Sequence, residues 1–323
     1  MLRRLSIPVQ ADLEEVEKML ASELTTGMER IDSIIQYVIQ NGGKRIRPTV
    51  LILAGRMAGA QAKPLPRIAA SIEMFHTASL LHDDVIDDAQ MRRGKPSAKA
   101  KWGNQVSVLV GDLLFCRGSQ ILVDHGEPRL LQAMNTAISQ TTEGELLETL
   151  HQNDAEVNAD TYMKIIRGKT GALFALAAGA GAIIAGVEHS FEKALHLFGM
   201  ELGQAFQLAD DALDYVADEQ RFGKTAGTDL REGKITYPLI IALAKAKVEE
   251  RQVIRSAIIS GHQTPERFGE VVSIIDRYGG IEETLALARS LAESAKSNLS
   301  CFRPSIERDA LTSLASYAVD RSE

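Results

Sequence analysis

The sequence predicts an all-α protein, and three observations favour that class. Long stretches rich in alanine, leucine, isoleucine, glutamate and lysine suit helices, and no sustained alternation of β-branched residues suggests strands. Only 5% of the 323 residues are aromatic, nine are proline, and 45% are hydrophobic. Such a chain can bury one large core or two ordinary ones. Because no low-complexity segment divides it, residues 1–323 are expected to form a single domain.

Turn-forming residues separate the predicted helices. The main breaks are Asn41-Gly42-Gly43, Arg93-Gly94-Lys95-Pro96, Asp124-His125-Gly126, Asn153-Asp154 and Arg221-Phe222-Gly223-Lys224. Helices are predicted, in chain order, at residues 9–24, 28–41, 47–60, 64–87, 98–102, 104–125, 127–152, 158–167, 169–187, 189–217, 233–246, 249–260, 264–278, 280–298 and 304–320. Two of them, 64–87 and 189–217, are long and apolar and carry aspartate clusters toward their C-terminal ends.

The same acidic pattern occurs in both of these long helices. It reads Asp83-Asp84-Val85-Ile86-Asp87 in the first and Asp210-Asp211-Ala212-Leu213-Asp214 in the second. In a helix the first and fifth residues lie one turn apart on one face, so each pattern pairs two carboxylates. Such a like-charge pair destabilises an isolated helix by about 0.2–0.5 kcal/mol, and Asp88 adds a second pair with Asp84. A divalent cation such as Mg²⁺, which prefers oxygen ligands, would offset this repulsion.

Two interpretations of a single acidic motif stay open at this level. A lone motif of this kind is compatible with a solvated acidic patch. Both motifs, however, follow apolar or small residues, at 74–81 and 205–209, so both acidic faces are expected to be half-buried. Because each motif lies toward the C-terminal end of its helix, the two are expected to face one another across a cavity in a helical bundle.

Basic residues concentrate on either side of the first acidic motif. The segment Gly42-Gly43-Lys44-Arg45-Ile46-Arg47-Pro48 places three cations in a glycine-led turn, and Arg92-Arg93-Gly94-Lys95-Pro96 follows the motif. Arginine can chelate phosphate oxygens with two N–H groups and lysine adds a mobile charge, so a diphosphate suits these segments. A solvated basic turn is the alternative. His76 lies two helical turns before Asp83, where it is either a core residue or part of the site.

Further polar residues flank the second acidic motif. They are Lys169-Thr170, Gln207, Phe222-Gly223-Lys224 and Lys234. Each is uninformative alone. Together they can bind phosphate oxygens or direct a dipole at developing positive charge.

Charge, cysteine usage and targeting signals narrow the class of protein. A formal net charge of −7 argues against a general nucleic-acid binder. Cys116 and Cys301 lack the spacing of a metal site and are expected to be reduced core thiols, which indicates the cytoplasm. Residues 1–8 show no signal-peptide pattern. The apolar, glycine-containing stretch 171–187 is expected to be a tightly packed buried helix rather than a transmembrane segment.

Five ordered motifs resemble those of the trans-isoprenyl diphosphate synthases, the polyprenyl synthetase family, and in particular its long-chain, octaprenyl-producing members. They are GGKRIRP at 42–48, LLHDDVIDDAQMRRGKPS at 80–97, GKT at 168–170, AFQLADDALD at 205–214 and FGKTAGTDLREGKITYP at 222–238. The resemblance runs over nearly the whole chain. It implies the isoprenoid synthase fold, an all-helical bundle around a deep central cavity, acting as a homodimer.

The resemblance also implies a reaction, the head-to-tail elongation of an allylic diphosphate with isopentenyl diphosphate. Three Mg²⁺ ions would bind through Asp83, Asp87 and Asp210, with Asp84, Asp211 and Asp214 in direct or supporting positions. The expected isopentenyl diphosphate ligands are Lys44, Arg47, His76 and Arg93. The expected allylic diphosphate ligands are Arg92, Lys169, Lys224 and Lys234. Thr170 and Gln207, with the carbonyl of Lys169, would face the allylic cation.

Small side chains one turn before the first motif indicate a long product. In short-chain members of the family, bulky aromatic residues stop growth at the positions that Ala78 and Ser79 occupy here. Met134 and Ile138 are candidates for the tunnel floor, with ordinary core packing as the alternative. Burial of the tail contributes about 0.8 kcal/mol per CH₂, and the expected product is about C40. It would be delivered at a membrane surface as a quinone side chain.

Other functions would require a different sequence. A terpene cyclase would be expected to have a degraded second motif and no isopentenyl diphosphate clamp, and a non-catalytic subunit would have lost motif residues. A shorter-chain synthase, making farnesyl or geranylgeranyl diphosphate, is the nearest alternative. An acidic scaffold protein is the alternative from another class. The helix at 104–125 has a face rich in small residues that suits either a dimer surface or core packing.

Overall fold

The computed structural model describes residues 6–216, 227–260 and 264–320, and nearly all regular structure within them is helical. The helices are α1 Gln10–Glu23, α2 Glu29–Gln40, α3 Ile46–Met57, α4 Leu65–Ile86, α5 Ala98–Trp102, α6 Asn104–His125, α7 Pro128–Leu150, α8 Ala159–Ile166, α9 Ala172–Ala185, α10 His189–Asp214, α11 Thr228–Arg231, α12 Tyr237–Lys245, α13 Val248–Ser260, α14 Pro265–Arg277, α15 Gly280–Asn298 and α16 Ile306–Val319. Turns of 3₁₀ helix lie at Ile7–Val9 and Leu299–Cys301, and a π-helical turn, Arg167–Gly171, joins α8 to α9. The all-α prediction is confirmed.

A short hairpin follows the first acidic motif. Its strands are β1, Met91–Arg92, and β2, Lys95–Pro96, and they pair antiparallel. Arg93 and Gly94 form the turn with φ values of 53° and 75°, and two positive φ values are typical of a type I′ turn. The predicted basic loop therefore has a defined backbone that presents Arg92 and Arg93.

Most helices end within three residues of their predicted ends, and two differences have physical causes. The helix predicted at 233–246 begins only at Tyr237, because Pro238 suits the first turn of a helix but not its interior. The helices predicted at 158–167 and 169–187 are one continuous helical stretch, in which the π-helical turn replaces the expected break.

The chain is divided between two compact units, each built from three segments. The first unit comprises the described parts of residues 1–137, 173–199 and 298–314. The second comprises those of residues 138–172, 200–297 and 315–323. The single domain expected over residues 1–323 stays a prediction.

Two buried helices form the centre of the first unit. In α3 every residue from Pro48 to Gly55 is buried, and α4 is buried along most of its length. A helix that is apolar on all sides must be surrounded by other helices. Where α9 packs on α3, two backbones touch, because a Cβ on Gly181 would lie only 2.5 Å from the nitrogen of Gly55. Glycine is therefore the residue that permits this helix contact.

The core of the second unit is a cluster of aliphatic and tyrosine side chains. Its fully buried aliphatic members include Leu208, Leu230, Leu239, Ile254, Val271 and Ile275. Tyr162 and Tyr215 belong to the same cluster and are each 3% exposed. Because a buried hydroxyl needs a hydrogen-bond partner, both tyrosines must find polar groups inside the unit. Those groups are Asp211 for Tyr162 and Thr236 for Tyr215.

Both cysteines are free thiols, as predicted, but the expectation that they are core residues is wrong, because both are exposed. Cys116 lies on α6 two residues after buried Leu114, a spacing that turns its side chain toward the opposite face of the helix. Cys301 ends the 3₁₀ turn that follows α15.

Two helical stretches have the length and hydropathy of a membrane span, Asn104–His125 and Ala159–Ala185. In the apolar window of the second stretch 83% of the residues are buried, which confirms the buried helix expected at 171–187. In the window of the first stretch only 39% are buried. Its exposed residues include Leu109 and Val123. Core packing therefore accounts for only one face of α6.

Replacing Gly181 by alanine is expected to destabilise the protein, whereas replacing Gly179 on the same helix is not. A Cβ at position 181 would meet backbone atoms of Gly55 and Leu51 at 2.5 and 2.7 Å, so α9 and α3 would have to move apart. The expected loss is about 1–3 kcal/mol. At position 179 the nearest atom would be 3.9 Å away, so alanine adds helix propensity worth up to about 1 kcal/mol. Urea unfolding checks both variants, and equal midpoints would contradict the packing argument.

Candidate active site

The first acidic motif lies at the C-terminal end of α4, as predicted. The helix ends at Ile86, and the amide of Asp87 donates to the carbonyl of Asp83 at 2.8 Å. Asp83 and Asp87 therefore lie one turn apart, and both are half-buried. Asp88 follows with a φ of 53°, is exposed, and pairs with Lys99. The predicted pair of neighbouring, half-buried carboxylates is confirmed.

Asp84, the second carboxylate of the motif, has a different environment. It is 2% exposed, and its Oδ1 accepts a hydrogen bond of 2.7 Å from Nε of Arg92. Burial raises the pKa of Asp84, and the positive charge of Arg92 opposes that rise. The β1–β2 hairpin thus brings Arg92 back to the acidic helix.

A pocket of about 500 Å³ adjoins this motif within the first unit and is named here the arginine pocket. Three residues predicted to bind diphosphate, His76, Arg92 and Arg93, line it. Gly42 and Gly43 form another part of its wall. The structure therefore brings the two basic segments of the sequence together.

The two glycines of the basic turn make room for guanidinium groups. A Cβ on Gly42 would lie 2.2 Å from Nη1 of Arg45 and 2.6 Å from the carbonyl of Ile39. A Cβ on Gly43 would lie 2.6 Å from Nη2 of Arg93. Arg93 in turn donates to the carbonyl of Asn41 at 3.0 Å. Both positions therefore require glycine, because neighbouring atoms leave no room for a Cβ. At Gly43 the neighbouring group is the guanidinium of Arg93, a predicted substrate ligand.

None of the three cations in this turn lines the arginine pocket. Arg45 has a φ of 52° and pairs with Glu17 at 2.6 Å and with buried Glu73 at 2.9 Å. These ion pairs attach the turn to the helices that carry Glu17 and Glu73. Lys44 is exposed and lines a smaller pocket together with Thr49, not the arginine pocket.

Arg47 has a buried donor that finds no hydrogen-bond partner among the described residues. Its Nε is enclosed and unbonded, while its guanidinium carbon lies 4.5 Å from the centre of the Phe174 ring. Burial lowers the pKa of Arg47 to about 10, and the charge of Glu73 opposes that shift. Arg47 is therefore still a cation at neutral pH. A buried cationic donor without a partner fits an anionic ligand.

His76 is a neutral member of this basic cluster. Burial lowers its pKa well below the usual 6.5, and the charges of Arg47 and Arg93 lower it further. A neutral imidazole can still donate one N–H to a phosphate oxygen. The structure thus places His76 in the site and not in an isolated core position.

The second acidic motif ends α10, again as predicted. Asp210 and Asp214 are half-buried, and Asp211 is 4% exposed. Oδ2 of Asp214 accepts a hydrogen bond of 3.1 Å from the amide of Asp229. Burial raises the pKa of Asp229 well above its usual value, and the charges of Asp211 and Asp214 add to that rise.

A chain of hydrogen bonds runs from Asp211 through the second unit. Tyr162 donates its hydroxyl to Oδ2 of Asp211 at 2.5 Å, and Nε2 of Gln207 donates to Oδ1 at 2.7 Å. Oε1 of Gln207 accepts from the hydroxyl of Thr170 at 2.8 Å. Burial raises the pKa of Asp211 to about 7, and the two hydrogen bonds that it accepts oppose that rise. Thr170 and Gln207, predicted to act on the same cation, are in direct contact.

Lys169 and Thr170 lie in the π-helical turn. Gly168 in this turn and Gly144 on α7 allow the two backbones to touch, because a Cβ on Gly144 would lie 2.6 Å from the amide nitrogen of Lys169. π-helical turns inside α-helices occur frequently at functional sites, where they redirect a side chain. The predicted GKT motif therefore coincides with the irregular point of an otherwise regular helix.

The predicted allylic diphosphate ligands of this unit are paired with carboxylates. Nζ of Lys169 lies 2.9 Å from Glu145 and also contacts Glu148. Nζ of Lys234 lies 2.7 Å from Glu232. Lys224, the third predicted ligand, lies outside the described residues.

A second pocket, of about 590 Å³, collects these groups within the second unit. Its lining includes Glu148, Tyr162, Lys169, Thr170, Gln207, Asp211, Asp229 and Lys234. This second pocket is therefore polar and is lined by both acidic and basic side chains.

The residues predicted to set product length have ordinary packing positions. Ala78 and Met134 are buried, with 3% and 4% exposure, and Ser79 donates its hydroxyl to the carbonyl of His76 at 2.9 Å. None of the three pockets above is lined by Ala78, Ser79, Met134 or Ile138. The tunnel and its floor stay predictions.

The metal sites expected at the two acidic motifs stay predictions. No group of three or more His, Cys, Asp or Glu side chains in residues 6–216, 227–260 and 264–320 is arranged as a metal site by itself. Mg²⁺ usually takes one or two carboxylates together with water and substrate phosphates. The half-buried carboxylates Asp83, Asp87 and Asp210 suit that mode. Asp84 and Asp211 already accept hydrogen bonds from protein donors.

Several residues of the two pockets were not predicted from the sequence. They are Glu73, Glu148, Tyr162 and Asp229, and Glu145, which pairs with Lys169, was not predicted either. Glu145 and Glu148 lie three residues apart, so their common helix face was a usable signal. Tyr162 lies two nominal helical turns before Lys169, but the π-helical turn near Lys169 alters the register that this spacing would imply.

Lowering the pH below about 6.5 is expected to destabilise the protein through His76. Folding lowers the pKa of this imidazole, so the unfolded state binds the proton more readily. The free energy of unfolding therefore decreases as the pH is lowered. The loss is on the order of 1 kcal/mol per pH unit. A His76→Gln variant lacks this component, so its free energy of unfolding should depend less steeply on pH. Equal slopes for the two proteins would show that the buried imidazole is not kept neutral.

The chain is similar to known proteins over nearly its whole length. The family model described as polyprenyl synthetase matches residues 28–275. Octaprenyl diphosphate synthase from Escherichia coli K12 is 39% identical over 310 residues, with 96% of each chain covered. An all-trans-nonaprenyl-diphosphate synthase, geranyl-diphosphate specific, from Rhodobacter capsulatus is 37% identical, covering 97% of this chain and 96% of its own.

A solved structure extends the likeness to three dimensions. The polyprenyl synthase from Caulobacter crescentus CB15, complexed with calcium and isoprenyl diphosphate, superimposes with a TM-score of 0.95 at 39% identity, covering 100% of this chain and 98% of its own. The isoprenoid synthase fold and the enzyme class predicted from the motifs, a trans-polyprenyl diphosphate synthase, are confirmed. The chain belongs to the polyprenyl synthetase family.

Proposed function

We propose that this protein elongates an allylic diphosphate, farnesyl diphosphate in the first instance, with isopentenyl diphosphate units to an all-trans polyprenyl diphosphate. The arginine pocket carries this proposal. Arg92 and Arg93 line this pocket, and the charge of nearby Arg47 lowers the pKa of His76 in its wall. Arg47 itself has a buried donor with no hydrogen-bond partner among the described residues. A dianionic or trianionic diphosphate is the ligand that satisfies both the donor and the excess charge.

Isopentenyl diphosphate would occupy the arginine pocket. Arg93 in the pocket wall and nearby Arg47 would supply charge and N–H groups, and His76 would supply an uncharged donor. Lys44, which is exposed and lines another pocket with Thr49, would have to turn toward this substrate to bind it. Because Gly43 has no side chain, the guanidinium of Arg93 can lie against the turn.

The acidic motifs fit Mg²⁺ as the second ligand. Asp83, Asp87 and Asp210 would hold it, and bound Mg²⁺ would neutralise the charge that develops on the departing diphosphate. Asp84 and Asp211 would support their neighbours from buried positions, and Asp214 is tied to the backbone of Asp229. A structural relative that contains calcium and isoprenyl diphosphate supports a divalent cation in this family.

Binding of the allylic diphosphate would rearrange the lysines of the second pocket. Lys169 and Lys234, now paired with Glu145, Glu148 and Glu232, would turn to phosphate oxygens. Arg92 and Lys224 complete the expected set. A cation that moves from carboxylate to phosphate changes partner without losing its charge interaction.

The chemistry would follow from this arrangement. The bond between the allylic carbon and the diphosphate oxygen breaks, and both electrons leave with diphosphate. The terminal double bond of isopentenyl diphosphate attacks the allylic cation and forms the new carbon–carbon bond. Loss of a proton, accepted by the released diphosphate, restores the double bond. Thr170 and Gln207 would stabilise the positive charge with their oxygens while the lysines stabilise the negative one.

The product is proposed to be long, about C40. Ala78 and Ser79 leave room for a growing tail where an aromatic side chain would block it. Burial of that tail contributes about 0.8 kcal/mol per CH₂. Relatives named for octaprenyl and nonaprenyl products support this length. A structural relative named as a geranylgeranyl pyrophosphate synthetase, from Pyrococcus horikoshii, keeps a shorter product as the second candidate. The product would supply a quinone side chain.

We further propose that the protein is a cytoplasmic homodimer that releases its product at a membrane surface. The exposed aliphatic residues Leu109 and Val123 on α6 support an interface between copies. The alternative is a two-subunit enzyme, because a heptaprenyl diphosphate synthase component 2 from Bacillus subtilis is 30% identical. Elongation by the purified chain alone would decide for the single-component form.

Product analysis tests the proposed reaction and chain length together. With farnesyl diphosphate, isopentenyl diphosphate and Mg²⁺, products are expected to end near C40, and removal of the metal with a chelator should abolish them. Products that end at C15 or C20 would contradict the open tunnel. Geranyl diphosphate as the alternative primer shows which allylic substrate is preferred.

Enlarging Ala78 is expected to shorten the product. An aromatic side chain there would close the predicted tunnel one turn before the first acidic motif, so Ala78→Tyr should stop elongation several units early. The intermediate Ala78→Val variant controls for the overpacking of a buried position and should give a smaller shift. The distribution of product lengths, normalised to total product, is the measurement. Unchanged distributions in two folded variants would refute the wall assignment.

Adjacent glycine variants are expected to separate substrate binding from stability. Gly43→Ala displaces the flexible guanidinium of Arg93, so the KM for isopentenyl diphosphate should rise about 10-fold while the melting temperature changes little. Gly42→Ala meets the backbone carbonyl of Ile39 and should lower stability by about 1–3 kcal/mol. Steady-state kinetics and thermal unfolding of both variants measure these effects. Identical behaviour of the two variants would contradict the different contacts.

A further inference from the structure

The hydrogen-bond chain in the second unit has a direction, and this direction bears on catalysis if the proposed function holds. A carboxylate accepts hydrogen bonds at both oxygens and donates none. Asp211 therefore requires a donor at each end, which it receives from Tyr162 and from the amide nitrogen of Gln207. When Asp211 is ionised, the orientation of the Gln207 amide follows from this chemistry.

The orientation of Gln207 determines the orientation of Thr170. With its nitrogen turned to Asp211, Gln207 presents Oε1 to the threonine, and the threonine hydroxyl donates to it at 2.8 Å. Thr170 thereby uses its only hydroxyl proton. Its remaining lone pairs are available to the pocket that Thr170 and Gln207 line. A hydroxyl oriented in this way stabilises a neighbouring positive charge, whereas one with its proton turned to the pocket would repel it.

Tyr162 holds the far end of the chain in place. Its ring is buried, at 3% exposure, and lies 5.4 Å from the ring of Tyr237, so the hydroxyl has little freedom to move. Asp211 is also buried, and a buried carboxylate that lost one of its two donors would rotate or recruit another. The rigid tyrosine therefore fixes the side chain on which Gln207 depends.

We propose that Tyr162 and Asp211 are positioning residues that set the direction of this hydrogen-bond chain, so that Thr170 presents lone pairs to the developing allylic cation. Asp211 acts through Gln207 and not as a metal ligand. Neither Tyr162 nor Asp211 needs to contact the substrate. The inference deepens the proposed function and rests on it.

Kinetics of conservative variants test the proposal. Tyr162→Phe should lower kcat by roughly 10- to 100-fold, less than the loss of a group that contacts the reacting atoms, with KM for both diphosphates within about twofold. Asp211→Asn should lower kcat at least as much, because asparagine can turn its own NH₂ toward Gln207 and reverse the chain. The Mg²⁺ concentration for half-maximal rate should stay unchanged in Asp211→Asn. A shift of about 10-fold or more would identify Asp211 as a metal ligand and overturn the proposal.

A double-mutant cycle separates positioning from general structural damage. If Tyr162 acts through Thr170, then adding Tyr162→Phe to Thr170→Val should cause no further loss of kcat, because the group being oriented is already gone. Losses that multiply would mean independent, structural effects and would overturn the proposal. Thr170→Ser keeps the hydroxyl and should restore the sensitivity to Tyr162→Phe.

Tyr215→Phe is the matched control, because Tyr215 is equally buried and its hydroxyl bonds to Thr236 at 2.6 Å instead of to the chain. Its kcat should stay within about twofold of wild type. A wild-type kcat in folded Tyr162→Phe overturns the positioning role and leaves the proposed function intact. A wild-type protein without any elongation activity overturns the proposed function itself.

Discussion

The burial of charged groups is the constraint on which the rest of the structure depends. A carboxylate taken out of water costs several kcal/mol unless hydrogen-bond donors replace the water. Each acidic motif meets this constraint in the same way, because its second aspartate turns inward. Asp84 accepts from Arg92, and Asp211 accepts from Tyr162 and Gln207. The inward aspartate fixes the helix end, and its less buried neighbours are thereby placed for a ligand.

The arginine pocket has the opposite problem, because there positive rather than negative groups are buried together. Burial lowers the pKa of His76, and the charges of Arg47, Arg93 and Arg92 lower it further. Burial also lowers the pKa of Arg93, and the charge of Arg92 adds to that effect. Glu73 offsets part of this charge but is itself paired with Arg45. Asp84 is likewise paired with Arg92, so neither Arg47 nor Arg93 forms an ion pair with a carboxylate of the described residues. An anionic ligand stabilises such a region, while the unliganded protein carries the repulsion.

Sequence patterns predicted the helices and both carboxylate pairs because these depend on neighbours within one or two turns. Helical period and turn residues located α4 and α10 and the aspartates at their ends. The same local reasoning failed for Cys116, whose burial depends on which face of α6 meets another helix. It also placed the start of α12 too early, although Pro238 was visible.

Contacts between distant segments could not be predicted from local patterns. The pairing of Arg45 with Glu73 joins the residue before α3 to a residue of α4, and it removes one of the three cations that the basic turn offered to a ligand. Tyr162 was missed because nothing in its own neighbourhood marks it as the partner of Asp211. The π-helical turn was missed because it leaves the apolar periodicity on either side nearly unchanged.

Three non-glycine residues at the first site, Arg45, Asp88 and Arg93, adopt left-handed backbone conformations, with φ of 52°, 53° and 53°. Each such residue stores on the order of 1 kcal/mol of strain that glycine would not. Selection for thermal stability alone would therefore favour glycine or asparagine at Arg93, which forms no ion pair with a carboxylate of the described residues. It would keep Arg45, whose loss would leave buried Glu73 without its partner. The trade-off between stability and ligand binding is therefore sharpest at Arg93, where relief of backbone strain would also remove a charge that the pocket presents to its ligand.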